Sequence, residues 1–185
     1  MNLQSKHSQL LPVITLFFMS PIVVELLFGS TYVTIISSLL PETGFYGGAA
    51  LIIRYIARRQ NRGWFSILLL GMAFAVFEEF LIVQTSISPV LFPGTSLSSI
   101  YGRVLGVNWV YFLWAVGYES VWGIVLPISL TEIIFPAQRK EQWLSKRGLV
   151  IVAVIFVFSS IISWYIWTHV VVPLRLDLFT IRLYR

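Results

Sequence analysis

WFSILLLGMAFAVFEEFLIVQT, residues 64–85, is the stretch that decides the fold of this chain. A helix that crosses the hydrocarbon core of a bilayer needs about 20 mostly apolar residues. This stretch has that length and composition, and it therefore predicts a transmembrane helix. It also carries two adjacent acids, Glu78 and Glu79, in the part of a membrane helix where charge is least expected.

Further apolar runs of the same kind predict four more spans, at about residues 10–29, 45–57, 107–135 and 149–172. The whole chain, residues 1–185, is then one integral membrane domain with an all-α, polytopic helix bundle of about five spans. The run 45–57 is short for a span. Gly44 and Gly48 next to it form a small-xxx-small pair, which predicts the close approach of another helix.

The composition supports the membrane class and excludes several others. Hydrophobic residues make up 57% of the 185 residues and charged residues 11%, and the mean hydropathy is +0.84. With no cysteine in the chain, disulfides and cysteine metal sites are excluded. The sequence has no signature of a heme, nucleotide or flavin site, and its basic residues are grouped in short loops, which indicates membrane topology rather than nucleic-acid binding.

The basic loops predict the orientation, because Lys and Arg near span ends are retained on the cytoplasmic side. Two such loops, one at residues 58–62 and one at 139–147, place the N-terminus inside, the 86–106 loop outside and the C-terminus outside. The arginines of the C-terminal tail conflict with that end point. A tail that lies along the headgroups, a re-entrant fifth segment, or a chain that continues further would each remove the conflict.

The placement of acids is the most informative feature for function. Of eight acidic residues, five fall within predicted spans: Glu25, Glu78, Glu79, Glu119 and Glu132. A charged side chain at the bilayer centre costs about 2.5 to 3.5 kcal/mol on insertion scales, so these groups need partners, protons or water. At 1.5 Å per residue, all but Glu132 lie at a similar depth in the outer half of the bilayer. We therefore expect a carboxylate-lined polar site that opens outward, with Glu78, Glu79 and Glu119 as candidate catalytic groups.

Other polar residues are candidates for binding roles at this site, together with Glu25. Asn108 and Glu119 share one face if the fourth helix includes both, and Gln84 adds an amide near the outer end of the third helix. Arg54 has two interpretations, because it can extend toward the inner interface with Arg58 or pair with a buried glutamate.

His169 and Glu132 complete the set of candidates. His169 either hydrogen-bonds to backbone or headgroups at the interface, or forms a metal site with Glu79 and Glu119. A divalent cation is the one cofactor that these oxygen-rich ligands would imply. Glu132, near the inner end of its span, is interpreted as structural or interfacial.

The stretch from Phe77 to Gln84 resembles the paired-glutamate motif of the CAAX-protease and bacteriocin-processing family and of PrsW-like membrane proteases. In those families a basic residue follows the Glu pair and histidines on later helices complete the site. Here Val83 and Ile82 occupy the positions of the Arg and Lys variants, and Glu119 stands on the helix where a histidine is expected. More broadly, the chain resembles a group of uncharacterised polytopic prokaryotic membrane proteins, which implies the cytoplasmic (inner) membrane.

Three functions remain open from the sequence. The first is a carboxylate-lined site that handles a cation, a proton or a small solute, with a homo-oligomer implied because five spans are few for a transporter. The second is an intramembrane hydrolase of the paired-glutamate type. The third is a structural or accessory membrane subunit whose buried acids specify helix packing. Membrane lipid is a partner in each case, and nucleic acid in none.

Overall fold

A computed structural model describes residues 3–29, 39–88 and 101–171 of the chain, and this part contains five long helices. They are α1 (residues 3–27), α2 (39–59), α3 (Trp64–Ile82), α4 (Trp109–Ile134) and α5 (Lys146–Val171). The only strands in the described ranges are β1 (Arg103–Val104) and β2 (Val107–Asn108), which form a hairpin directly before α4. The predicted all-α class is confirmed.

Four of these helices are long and apolar enough to cross a membrane: Gln9–Leu27 within α1, and the whole of α3, α4 and α5. The chain is an integral, polytopic membrane protein. The second predicted span, 45–57, lies within the longer helix α2, which begins at Leu39. Pro41 stands in the first turn of α2, where a missing backbone N–H leaves no hydrogen bond unmade.

Each long helix contains π-helical turns. They cover Ile22–Leu27 in α1, Thr43–Gly47 in α2, Glu78–Ile82 in α3, Glu119–Val125 in α4 and Trp167–Val171 in α5. In α1 the π-helical turns begin directly after Pro21, a residue that has no N–H to continue the regular ladder. Isolated π-helical turns are rare in helices and are frequent at functional sites.

Helix α2 lies at the centre of the bundle, and residues 44–51 are all buried. A side chain at Gly44 would overlap Ser159 of α5, and a Cβ at Gly48 would lie 3.0 Å from Cβ of Phe156 in the same helix. The predicted close approach at the Gly44/Gly48 pair is confirmed, with α5 as the partner. On its other side, Gly47 meets the backbone of Phe17 in α1.

Aromatic side chains fill the space between α2 and its neighbours. The ring of Phe45 lies 5.0 Å from that of Phe74 in α3 and is stacked at 5.6 Å on Phe156 in α5, measured between ring centroids. Offset and edge contacts of this kind add to the stabilisation gained by burying the rings. The packing fixes α2, α3 and α5 relative to one another at the level of the π-helical turns.

Helix α4 begins at Trp109, two residues later than the predicted span 107–135. Asn108 is extended rather than helical, and its Oδ1 accepts a hydrogen bond from the backbone N–H of Tyr111 at 2.9 Å as the N-cap. The expectation that Asn108 and Glu119 share a helical face is therefore wrong. The C-terminal tail and its arginines lie outside the described residues, so the predicted orientation stays a prediction.

Candidate functional site

Carboxyl groups from four positions on three helices and from the start of α2 lie close enough to interact electrostatically with Tyr46 or with one another. We call Glu25, Glu42, Glu78, Glu79 and Glu119 the carboxyl cluster. Glu119, Glu78, Glu25 and Glu42 all act electrostatically on Tyr46, and Glu79 acts on both Glu78 and Glu119. The four acids that the sequence placed at one depth are brought together by the structure.

The π-helical turns position this cluster. Glu25, Tyr46, Glu78, Glu79 and Glu119 all belong to such turns, and Glu42 directly precedes one. A π-helical turn widens the helix locally and re-aims its side chains. The same irregularity in four neighbouring helices therefore points four sets of polar groups at one place.

Glu78 and Glu119 are the most enclosed pair of the cluster. The Tyr46 hydroxyl donates a hydrogen bond to Oε1 of Glu78 and is also a hydrogen-bond partner of Glu119. The second oxygen of each carboxyl, Oε2, is buried and has no hydrogen-bond partner. A Cβ at Gly123 would lie 3.5 Å from Oε2 of Glu119, so the absence of a side chain there leaves room for that oxygen.

Glu79 connects the cluster to the loop after α3. Its Oε2 accepts hydrogen bonds from the Ser86 hydroxyl and from the Ser86 backbone N–H, the latter at 3.1 Å. The Ser86 carbonyl in turn accepts from the backbone N–H of Asn108 at 2.8 Å. Glu79 is thus tied through Ser86 to the hairpin that precedes α4.

Glu42 lies on the side of the cluster that faces α5. Its Oε1 accepts a weak hydrogen bond from the Ser163 hydroxyl at 3.4 Å, and the Trp167 side chain is a second partner. The predicted span 45–57 leaves out Glu42, because the sequence indicates a turn before residue 45. Tyr46 lies inside that span, but no signal in the sequence marks it as a partner of the acids. Pro41 was the available signal, since proline is common in the first turn of a helix.

A group of basic side chains lies near the C-terminal end of α2. Glu132 of α4 accepts hydrogen bonds from Arg54 Nε at 3.0 Å and from Arg58 Nη2 at 2.7 Å, and Arg139 Nε lies 3.5 Å away. We call these four residues the arginine network. The guanidinium of Arg54 also donates to the backbone carbonyls of Arg139 and Glu141.

Arg54 therefore pairs with a buried glutamate, but not with one of the carboxyl cluster. It follows Tyr46 by eight residues, about 12 Å along the helix axis, so its predicted place at the outward polar site is wrong. Its guanidinium carbon lies 3.2 Å from the centre of the Trp143 ring, which adds a cation–π contact. Glu132, interpreted from the sequence as structural, is the counter-charge of this network.

Three further predicted site residues lie outside the cluster. The Gln84 amide is bonded back to the Leu81 carbonyl at 3.5 Å, and Asn108 serves as the cap of α4. His169 is exposed, stacks on the Tyr165 ring and lies 2.7 Å from the Thr168 hydroxyl. Within the described ranges no group of three or more His, Asp or Glu side chains is arranged to hold a metal ion. The structure does not form the predicted metal site of His169 with Glu79 and Glu119.

The chemistry of the carboxyl cluster follows from its charge. The groups that act most strongly on Glu78 and Glu119, among the residues the structure describes, are other carboxyls and Tyr46. Neighbouring carboxylates in a low-dielectric interior cannot all keep their negative charge without compensation, which comes from protons or from a bound cation.

Comparison with protein-family models, with curated proteins and with solved structures gives no match, so the interpretation of the carboxyl cluster depends on its own geometry.

Proposed function

We propose that this integral membrane protein handles protons, and that the carboxyl cluster around Tyr46 is the intramembrane site that takes them up and releases them. The observation that carries the proposal is the pair of buried carboxyls, Glu78 and Glu119, that share one tyrosine hydroxyl.

The number of hydrogens available supports a proton on this pair. A tyrosine hydroxyl has one hydrogen, and an ionised carboxylate can only accept. Tyr46 donates its hydrogen to Glu78, so a hydrogen bond between Tyr46 and Glu119 needs a hydrogen from the Glu119 carboxyl. The three groups then form a short chain, Glu119 to Tyr46 to Glu78, along which a proton can be passed.

The arrangement of the carboxyl oxygens favours protons over a metal cation at this site. An ion held by the cluster would need several oxygens arranged around one point, and the described part of the chain shows no such group of three. The Oε2 atoms of Glu78 and Glu119 are buried without a hydrogen-bond partner, and a protonated carboxyl leaves less charge on such an oxygen than an ionised one does.

Access is supplied by Glu79. This residue lies three positions before the end of α3 and bonds to Ser86 in the following loop. Of the cluster members on α3, it is the one that reaches beyond the spanning segment. We infer that protons enter and leave through Glu79 and Ser86 and reach Glu78 and Glu119 from there.

Infrared difference spectroscopy of the protein in lipid nanodiscs tests whether the cluster holds protons. We expect a carboxylic-acid C=O band that shifts in D₂O and that loses intensity in Glu78→Gln and Glu119→Gln. Glu141→Gln is the matched control, because Glu141 is exposed in the loop before α5 and should leave the band unchanged. A spectrum with no protonated carboxyl would contradict the proposal.

Flux through the protein is the second test. We expect proteoliposomes with a potassium-diffusion potential to take up protons faster than empty vesicles, measured with a trapped pH dye, and Glu78→Gln to abolish the difference. Wild-type flux equal to that of empty vesicles would reject proton handling, and it would favour the accessory-subunit alternative. Among the residues that the structure describes, no contact favours the hydrolase, because Gln84, Asn108 and His169 are bonded elsewhere.

A further inference from the structure

The turn of the β1–β2 hairpin has an unexpected residue at its tip. Val104 pairs with Val107, so Leu105 and Gly106 are the two central residues of the turn. Both have positive φ, +53° for Leu105 and +82° for Gly106. Two-residue hairpin turns of this type strongly favour Asn, Asp or Gly at the first position, because other side chains crowd the backbone there.

The side chain of Leu105 gains little within the chain to offset this strain. It is 94% exposed, and its neighbour Val104 is 58% exposed. If this turn were exposed to water, Asn would be favoured at position 105, because Asn tolerates a positive φ and its side chain is polar. Leucine there indicates that the tip lies in an apolar surrounding.

The hairpin packs against the N-terminal end of α4. The Trp109 indole N–H donates to the Val104 carbonyl at 3.1 Å, and a Cβ at Gly102 would lie 2.5 Å from Val110. Trp109, Val110 and Leu113 are exposed by 42, 53 and 66%. On a spanning helix such residues face lipid, so the tip of the hairpin continues the lipid-facing surface of α4.

The length of α4 places this surface at the edge of the bilayer. Its 26 residues extend about 39 Å, against a hydrocarbon core of about 30 Å, so its ends reach the headgroup region. Trp109 and the exposed Tyr101 are residue types that collect at this level.

The hairpin is held firmly in this orientation. The Arg103 guanidinium donates to the Gly106 carbonyl at 2.7 Å and to the Ser88 carbonyl, and the Asn108 N–H donates to Ser86. These bonds connect the turn to the loop after α3. The direction of the tip is therefore set by the fold.

We propose that the hairpin is a membrane anchor whose tip, Val104 and Leu105, inserts into the leaflet around the N-terminal end of α4 and binds its phospholipids. The partner is the lipid surface of the protein's own bilayer. Through Asn108 and Ser86, the anchor holds the loop that bonds to Glu79.

The absence of cysteine from the sequence makes a direct test possible. Leu105→Cys carries a nitroxide in vesicles of phosphatidylcholine and phosphatidylglycerol, and its collision rates with oxygen and with a water-soluble nickel chelate are compared. Leu113→Cys is the reference for lipid, and Gln60→Cys, in the exposed turn after α2, is the reference for water. We expect the oxygen-to-nickel ratio at position 105 to exceed that at position 60 several-fold and to approach that at position 113.

Three results would overturn the proposal. A ratio like that at position 60 would place the tip in water. Protection from both reagents with spin–spin broadening would identify a second copy of the chain as the partner. The same protection without broadening would mean that the chain itself covers the tip.

Leu105→Asn provides a test without a label, because Asn suits the turn and the hairpin should fold. We expect faster deuterium uptake at residues 104–107 in nanodiscs, since a polar amide would draw the tip out of the lipid. Unchanged or slower uptake would show that the turn only became more stable in water, which contradicts the anchor.

Discussion

Glu132→Gln is the substitution that should destabilise this fold most clearly. Glu132 is 2% exposed, and both of its carboxylate oxygens are bound by arginine nitrogens. Glutamine keeps one acceptor but turns an NH₂ group toward guanidinium donors, and it leaves Arg54, also 2% exposed, without its counter-charge.

The expected loss of unfolding free energy is large. Breaking a buried ion pair by removing one partner costs about 3 to 5 kcal/mol, because the remaining charge is uncompensated. Arg54 keeps its two backbone carbonyl acceptors and its contact with Trp143. These interactions compensate part of the loss, and we therefore expect about 3 kcal/mol, the lower end of the range.

Unfolding of the purified protein in mixed micelles with a rising fraction of sodium dodecyl sulfate, followed by circular dichroism, measures this quantity. Glu141→Gln makes the same chemical change on an exposed side chain, and it should stay within about 0.5 kcal/mol of wild type. A loss below about 1 kcal/mol in Glu132→Gln would refute the reasoning, because it would show that the arginines do not need this carboxylate.

Three further predictions can be checked by the same unfolding measurement. Gly48→Ala should destabilise by about 1 to 3 kcal/mol through overpacking, since its Cβ would lie 3.0 Å from Phe156, whereas Gly117→Ala meets nothing within 4 Å and should be neutral or slightly stabilising. Glu78→Gln keeps an acceptor for Tyr46 but places an NH₂ group at the buried, unpartnered Oε2 position, and we expect it to cost about 1 to 3 kcal/mol; a loss above about 3 kcal/mol would indicate that an ionised carboxylate had been removed. Tyr46→Phe should cost about 1 to 3 kcal/mol, as it leaves Glu78 without a donor, and a neutral result would contradict the hydrogen-bond chain.

The sequence was sufficient to predict the class of fold and the long apolar helices. Hydrophobic length is a strong signal in a membrane protein, because a helix is the one segment that can satisfy its own backbone there. The signal weakens where charge is present. Helix α2 carries Glu42 and three arginines, and its true start at Leu39 was therefore placed several residues too late.

The candidate site was only partly predictable. Equal depth along the helices predicts that Glu25, Glu78, Glu79 and Glu119 lie at one level, since depth depends only on residue count. Depth carries no information on the direction of a side chain. The π-helical turns change that direction, and nothing in the hydrophobic pattern marked them or singled out Tyr46 as the shared partner.

The incorrect predictions for Asn108 and Arg54 both concern residues near the ends of helices. The period of α4 predicts that Asn108 is helical, but an Asn before an apolar run is also a favoured N-cap, and the backbone adopts that alternative. Of the two interpretations of Arg54, pairing with a buried glutamate is the one that the structure shows, but the partner is Glu132 and not an acid of the carboxyl cluster. The distance along α2 separates Arg54 from the carboxyl cluster whatever its rotamer.

The π-helical turns also bear on how a polar site of this kind can arise. Such a turn holds more residues than the α-helical turn it replaces, so it is equivalent to a short insertion within a helix. One inserted residue rotates everything beyond it by about 100°. A plain apolar bundle can thus gain an inward-facing carboxyl through single-residue insertions in its spans, while its loops, its end charges and the number of its helices stay as they were.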